Sequence, residues 1–114
     1  MAQINLPKRK ENRIVTTRVR EYQKVYQHPK WSTLRDRKFR DNPICEECDR
    51  NGMTTPTEEI HHIIRFADGV TDQQIKVLAY SYDNLMALCI SCHKLKHKHY
   101  RIDRYLFQKL LKNT

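Results

Sequence analysis

The segment that decides the fold spans residues 89–97 and reads Cys89-Ile90-Ser91-Cys92-His93-Lys94-Leu95-Lys96-His97. It opens with a CxxC pair, and an earlier CxxC pair, Cys45 and Cys48, stands upstream. Two such pairs can supply four thiolates to one tetrahedral zinc ion, which makes a closed structural site. The pattern therefore predicts a zinc site that holds a small fold together, formed by Cys45, Cys48, Cys89 and Cys92.

The histidines stand beside the cysteines at metal-ligand spacing. His93 and His97 are four residues apart, so a helix places them on one face, a common way to hold a divalent metal. Together with His61 they would leave positions open for water and substrate, while His62 would serve as a base near neutral pH. Adjacent residues of a regular strand point to opposite faces. Both His61 and His62 can therefore serve one site only if their strand ends or bends there.

Length and hydropathy bound the class of protein. At 114 residues the chain is expected to form one domain. Residues 1–10 are polar and basic and lack the apolar segment of a signal peptide, and the longest apolar run, residues 85–90, is far too short to span a bilayer. We therefore expect an intracellular protein without a membrane partner. In that reducing compartment, paired CxxC motifs indicate a metal site in preference to disulfides.

The formal net charge of +9 is unevenly distributed. Residues 1–42 contain 12 basic and 4 acidic side chains, residues 43–88 contain 3 and 8, and residues 89–114 contain 7 and 1. Two basic flanks indicate contacts with a phosphate backbone, although charge alone also fits a solvated basic surface. The residues expected to make these contacts are Lys8, Arg9, Lys10, Arg13, Arg18 and Arg20 on one flank and Lys94, Lys96, Lys98 and Arg101 on the other.

Periodicity and boundary residues predict helices with two short strands between them. The strands are expected at Glu58–Ile64 and Leu85–Ile90, with a turn at Asn51-Gly52 before the first. Residues 65–83 are expected to fold locally around apolar side chains. The expected helices are Arg13–Val25, Lys30–Asp41, a helix capped by Ser91 that continues through Lys98, and a last helix that starts at Asp103 and buries Ile102, Leu106 and Leu110.

Three pieces of the sequence together resemble the HNH nuclease motif: Glu59-Ile60-His61-His62-Ile63, Asp83-Asn84-Leu85, and residues 89–97. The spacings from Asn84 to His93 and from His93 to His97 also resemble those of colicin-type DNases. The resemblance covers Cys45 to His97 and includes both cysteine pairs, which staple many phage and bacterial members. It implies an α+β fold, with a small ββα-metal HNH core, a four-cysteine zinc site and flanking helices.

The resemblance also implies a role for each motif residue. His62 corresponds to the general base, His61 and His93 to metal ligands, and His97 to the third ligand of the colicin-type subset. Asn84 corresponds to the central Asn, which hydrogen-bonds the loop carrying the base and in some members touches the metal. Many relatives have Asp at the position of His61. The expected cofactors are a structural Zn²⁺ and one catalytic divalent metal (Mn, Ni, Co, Zn or Mg), with Mg suited least to an all-imidazole site.

The implied function is a metal-dependent endonuclease that hydrolyses phosphodiester bonds of DNA. The sequence does not distinguish nicking from double-strand cleavage. Phage DNA packaging beside a terminase, in the host-cell cytoplasm, is one expected role, and restriction or mobile-element roles are alternatives. A non-catalytic zinc-containing DNA-binding module is the rival from another class, but it leaves Asn84 and the clustered histidines without a function. Arg65, three residues after His62, is a candidate phosphate clamp, and a solvated arginine is its alternative.

The motif positions also predict how the chain is organised. Residues 1–42 are expected to form a basic N-terminal arm and helices, and residues 43–99 the HNH core with its four-cysteine zinc site. Residues 100–114 are expected to form a C-terminal helix that packs on that core.

Overall fold

The two strands that carry the motif pair with each other. In this computed structural model, which describes residues 22–112, strand β1 (Glu59–His62) runs antiparallel to strand β2 (Leu85–Leu88). His61 lies opposite Met86 and His62 lies opposite Leu85. Five helices surround this two-stranded sheet: α1 (Pro29–Asp41), α2 (Glu46–Arg50), α3 (Asp72–Tyr80), α4 (Ile90–Lys98) and α5 (Arg104–Leu111). Residues 22–27 are also helical, and short 3₁₀ turns span Phe66–Asp68 and Tyr82–Asn84.

Each face of the sheet packs against a different helix. Ile60, Ala87 and Leu85 point to one face, where they form an apolar cluster with Trp31 of α1. The other face carries Glu59, His61 and Leu88 and lies toward α2 and α4, where the cysteines gather. The sheet and α4 therefore form the expected ββα unit, and the α+β fold class is confirmed.

Both strands are shorter than the sequence indicated, and one helix begins earlier. The predicted strand Glu58–Ile64 is observed as Glu59–His62. The N–H of Ile63 still donates to the carbonyl of Asn84, but the N–H of Ile64 donates to the side chain of Asn84, so the backbone pairing stops. The predicted strand Leu85–Ile90 ends at Leu88. The expected cap Ser91 was wrong, since Cys89 is the N-cap and α4 begins at Ile90. His93 and His97 nevertheless keep their spacing on one helix.

The segment between the strands folds around α3. Thr71 caps this helix: its hydroxyl accepts the N–H of Gln74, whose side chain reaches back to the N–H of Thr71. Leu78 and Ala79 are fully buried in a second apolar cluster with Ile64, Phe66 and Leu111. Because this cluster joins α3 to the end of β1, the carbonyl of Ala79 in α3 lies against the ring of His62.

The remaining boundaries agree closely with the sequence. Helix α1 begins at Pro29, one residue before its predicted start, and ends before Asn42 as expected. Gly52 adopts a φ of 79°, as the predicted turn requires. Asp103 caps α5 by accepting the N–H of Leu106, but Leu111, which the predicted stripe omitted, is its most buried side chain. The predicted helix Arg13–Val25 lies mostly outside the described residues, as do the basic residues of the first flank.

Hydropathy places no membrane span in the described chain. Among residues 22–112, no helix combines the length and apolar character that crossing a bilayer requires.

Candidate active site

The four cysteines converge on one point. Cys48 Sγ lies 3.9 Å from Cys89 Sγ and 3.7 Å from Cys92 Sγ, and all four cysteines are free thiols. Four sulfurs around a tetrahedral zinc, each about 2.3 Å from the ion, are separated by roughly 3.8 Å. Helix α2 and the start of α4 each contribute one pair, and three of the four residues are buried. The donor set and its spacing therefore fit zinc.

The thiols of the cluster differ in the direction in which their pKa is shifted. Burial alone would raise the pKa of the Cys45 thiol, but donors from the backbone and thiols of its neighbours lower it to about 7. One of these donors is the N–H of Cys48, 3.5 Å from Cys45 Sγ. Burial, together with the other thiols, raises the pKa of Cys92. The Cys45 thiol is therefore ionised more easily than an ordinary cysteine.

Three histidines form a second group, separate from the cysteines. One ring nitrogen from each of His61, His93 and His97 lies within 4.8 Å of the other two. The Nε2 atoms of His93 and His97 are 2.9 Å apart, and His61 is 5% exposed, yet its ring makes no hydrogen bond among residues 22–112. Ring nitrogens at such short distances, with no carboxylate or carbonyl between them, fit a shared cation. Residue type and spacing thus match a three-imidazole metal site.

Glu59 orients one of these rings, a contact that the sequence analysis missed. Its Oε1 atom lies 2.9 Å from Nδ1 of His93. Because a carboxylate only accepts, Nδ1 of His93 carries the proton and Nε2 presents its lone pair to His97 and His61. The alternation along β1 could have revealed this contact, since Glu59 and His61 share the face that meets α4.

His62 points to the other side of the sheet. Its ring stacks on Trp31 with 4.8 Å between centroids and an interplanar angle of 23°. Its Nε2 atom lies 3.0 Å from the carbonyl oxygen of Ala79, in the last turn of α3. A carbonyl only accepts, so Nε2 is protonated and Nδ1 keeps the lone pair. Nδ1 is therefore the atom of His62 that can take a proton.

The cleft at the end of β1 brings both histidines to one site. It has a volume of about 260 Å³ and is lined by His61, His62, Arg65, His93 and His97, together with aromatic and small apolar side chains. Because the strand ends at His62, the two faces of the sheet open into this one cleft. A larger cavity of about 630 Å³, between residues 22–30 and α3, contains none of the candidate metal ligands.

Asn84 holds the end of β1 and does not reach the histidine cluster. Its Oδ1 atom accepts the N–H of Ile64 at 2.9 Å. Its Nδ2 atom donates to the carbonyls of Ile64 at 2.9 Å and Leu78 at 2.8 Å. The side chain is fully buried, and these three bonds use both of its amide hydrogens and one lone pair of its oxygen. Asn84 therefore fixes the segment that carries His62 instead of offering a ligand.

Burial favours the uncharged form of three histidines of the site, His61, His62 and His97. It lowers the pKa of His61 to about 3, aided by repulsion from His93, His97 and other positive groups. Burial also lowers the pKa of His62, partly offset by its bond to Ala79. The pKa of His97 is lowered by burial, then by His93 and Arg65. Uncharged imidazoles are the form that ligates a metal or accepts a proton.

Comparisons with known proteins agree with this geometry. Residues 45–99 match the family model described as HNH endonuclease. The fold is similar to a crystal structure of the HNH endonuclease of the deep-sea thermophilic bacteriophage GVE2 with a manganese ion. The TM-score is 0.55 at 22% identity, over 83% of this chain and 92% of that chain. A search among curated proteins found no match. The resemblance indicated by the sequence is therefore confirmed: residues 45–99 match the HNH endonuclease family.

Proposed function

We propose that this chain is a metal-dependent endonuclease that hydrolyses phosphodiester bonds in DNA. The observation that carries the proposal is the shared cleft: three histidines with converging ring nitrogens line it together with His62, whose Nδ1 lone pair remains available. A divalent cation held by His61, His93 and His97 would neutralise charge on the phosphate and on the leaving oxygen. Manganese in the similar phage enzyme supports such a site, and the four thiols support a separate structural zinc.

The residues of the chain supply the proton chemistry. In the proposed step, the oxygen of a water molecule forms a bond to phosphorus while the bond from phosphorus to the 3′ oxygen breaks. The proton of the water passes to Nδ1 of His62, and the 3′ oxygen takes a proton from solvent, which leaves a 5′ phosphate and a 3′ hydroxyl. His62 returns its proton to solvent afterwards. The carbonyl of Ala79 keeps the base in the tautomer that this transfer requires.

The experiment is cleavage of supercoiled plasmid by zinc-loaded protein with added Mn²⁺. His62→Ala should lower the rate by roughly 10²- to 10⁴-fold, the usual effect of losing a base, and leave metal binding and DNA binding close to normal. His93→Ala should weaken Mn²⁺ binding, so excess metal should restore part of the activity. His99→Ala is the matched control, because His99 is exposed and lies outside the ligand group on the same helix end.

Each possible result has a defined meaning. Near-normal cleavage by His62→Ala, with His61→Ala inactive at saturating metal, would show that the two adjacent roles are reversed. DNA binding without any cleavage by the parent protein would favour the non-catalytic zinc module. The ratio of nicked to linear product would distinguish nicking from double-strand cleavage.

A role in phage DNA packaging beside a terminase is the finer form of this proposal, and the phage source of the similar structure supports it. Restriction or mobile-element roles are the alternatives. If the gene for this chain lies next to a large-terminase gene, the packaging role is supported. A neighbouring DNA methyltransferase gene would favour restriction.

A further inference from the structure

Arg65 lies at the mouth of the histidine cleft. It directly precedes the 3₁₀ turn Phe66–Asp68 and lines the cleft with His61, His62, His93 and His97. Its guanidinium carbon stands 4.0 Å from the centre of the Tyr100 ring. A guanidinium stacked on an aromatic ring keeps its N–H groups at the edge, directed away from the ring. Stacking on Tyr100 therefore holds the guanidinium of Arg65 in a fixed orientation beside the cleft.

Tyr100 is itself held in place at its hydroxyl. The hydroxyl accepts the backbone N–H of Arg65 at 3.0 Å and donates to Oδ2 of Asp68 at 2.5 Å. The backbone N–H of Tyr100 lies 3.4 Å from the carbonyl of His97, at the end of α4. The ring is therefore tied both to the segment after β1 and to the helix that carries two of the clustered histidines.

Among residues 22–112, no carboxylate neutralises the charge of Arg65. Within residues 22–112, no Asp or Glu lies within ion-pair distance of its guanidinium, and the carboxylate of the nearby Asp68 is engaged by Tyr100. A positioned arginine with no anionic partner in the described part of the chain, beside a cluster of metal-ligand type, fits an anion with several oxygens. A phosphodiester group has two non-bridging oxygens that match the fork of a guanidinium.

We propose that Arg65 binds the non-bridging oxygens of the phosphodiester group that is cleaved, and that Tyr100, held by Asp68, is its positioning residue. This inference rests on the proposed nuclease function. Negative charge accumulates on these oxygens as water attacks phosphorus, so a donor already in place stabilises the transition state more than the bound substrate. Loss of Arg65 should therefore lower the rate of cleavage more than the affinity for DNA.

The experiment measures single-turnover cleavage and the dissociation constant of a labelled DNA duplex with Mn²⁺ at saturation. Arg65→Gln should slow cleavage by roughly 10²- to 10³-fold, the effect of one lost transition-state donor, with a change of only a few-fold in binding. Arg65→Lys should fall between the parent and Arg65→Gln, because lysine keeps the charge but loses the fork and the stacking. Arg50→Gln is the control. It removes the same charge from an exposed arginine of α2 that does not line the histidine cleft, and it should leave saturated cleavage unchanged.

The position of Tyr100 is tested by two substitutions. Tyr100→Leu removes the ring and should lower the cleavage rate by up to roughly 10²-fold through misplacement of Arg65. Tyr100→Phe keeps the ring and should keep most of the parent cleavage rate. In the Arg65→Gln background, Tyr100→Leu should cause little further loss, whereas an independent structural role would give additive losses. Mn²⁺ affinity and thermal melting should match the parent in both Arg65 variants.

The failures are distinguishable. If the parent cleaves DNA and Arg65→Gln cleaves equally well, this inference is overturned and the nuclease function stands. If Arg65→Gln weakens DNA binding without slowing saturated cleavage, Arg65 is only part of the basic surface and this inference is overturned. A parent protein that binds the duplex but never cleaves it overturns both proposals.

Discussion

The carboxylate of Glu59 lies 2.9 Å from Nδ1 of His93, and this bond joins the first residue of β1 to the first turn of α4. It selects the tautomer that presents Nε2 of His93 to the other two histidines of the cluster. The same strand thus supplies His61 to the cluster and, two residues earlier, the group that orients His93.

Glu59→Ala should therefore weaken binding of the catalytic metal. Loss of a partner that orients a ligating histidine typically costs roughly 10- to 100-fold in metal affinity. Mn²⁺ affinity, measured calorimetrically on zinc-loaded protein, checks this expectation. Glu58→Ala is the matched control, since it removes an adjacent carboxylate that accepts the N–H of Ile90 and contacts none of the histidines. Equal weakening in both variants would indicate a general effect of charge.

Asn84→Ala should destabilise the fold before it affects chemistry. The substitution leaves the N–H and carbonyl of Ile64 and the carbonyl of Leu78 without their buried partner, which should cost about 3 kcal/mol of the free energy of unfolding. Urea denaturation of zinc-loaded protein measures this loss. Asn42→Ala, which removes a single 3.4 Å bond to the carbonyl of Lys38, should cost much less. If Asn84→Ala were fully stable but inactive, Asn84 would have a direct catalytic role.

Cys48→Ser should abolish zinc binding and folding together. Burial of apolar surface in a chain of this size is modest, and zinc contributes on the order of 10 kcal/mol in small zinc domains. Elemental analysis and far-ultraviolet circular dichroism measure metal content and helix content on the same sample. Ser91→Ala, an exposed change between two of the cysteines, should retain both. Folded, active Cys48→Ser protein without zinc would contradict a structural zinc site.

The pH dependence of cleavage should show an acid limb below pH 6.5. His62 accepts a proton only when uncharged, and its pKa is lowered from the ordinary value of 6.5 by burial. The uncharged form therefore persists to lower pH than in an exposed histidine, and the rate falls only as pH drops through the lowered pKa. Single-turnover rates at saturating Mn²⁺ test this.

Repeating the pH profile at a higher metal concentration is the control. Protons also compete with metal at His61 and His97, whose pKa values are lowered as well. If the acid limb moves with metal concentration, it reflects protonation of these ligands and not of His62. A limb fixed at or above pH 6.5 would contradict a buried base.

The sequence by itself determined the two donor sets and the elements that carry them. CxxC pairs, the paired histidines and the spacing of His93 and His97 are local patterns, and helical periodicity translates spacing directly into proximity. Residues 30–41 and the cap at Asp103 were likewise predictable, because proline and capping residues act on their immediate neighbours.

Only the tertiary structure decided which atoms of the site meet. The end of β1 at His62 depends on Asn84, twenty-two residues later in the chain, and the tautomer of His62 depends on the carbonyl of Ala79, a backbone group that any residue could supply. The partnership of Arg65 with Tyr100 spans thirty-five residues and rests on contacts of Tyr100, which follows α4, with Arg65 and Asp68 after β1. Long-range contacts of this kind follow from the burial of a shared core, which local sequence patterns do not encode.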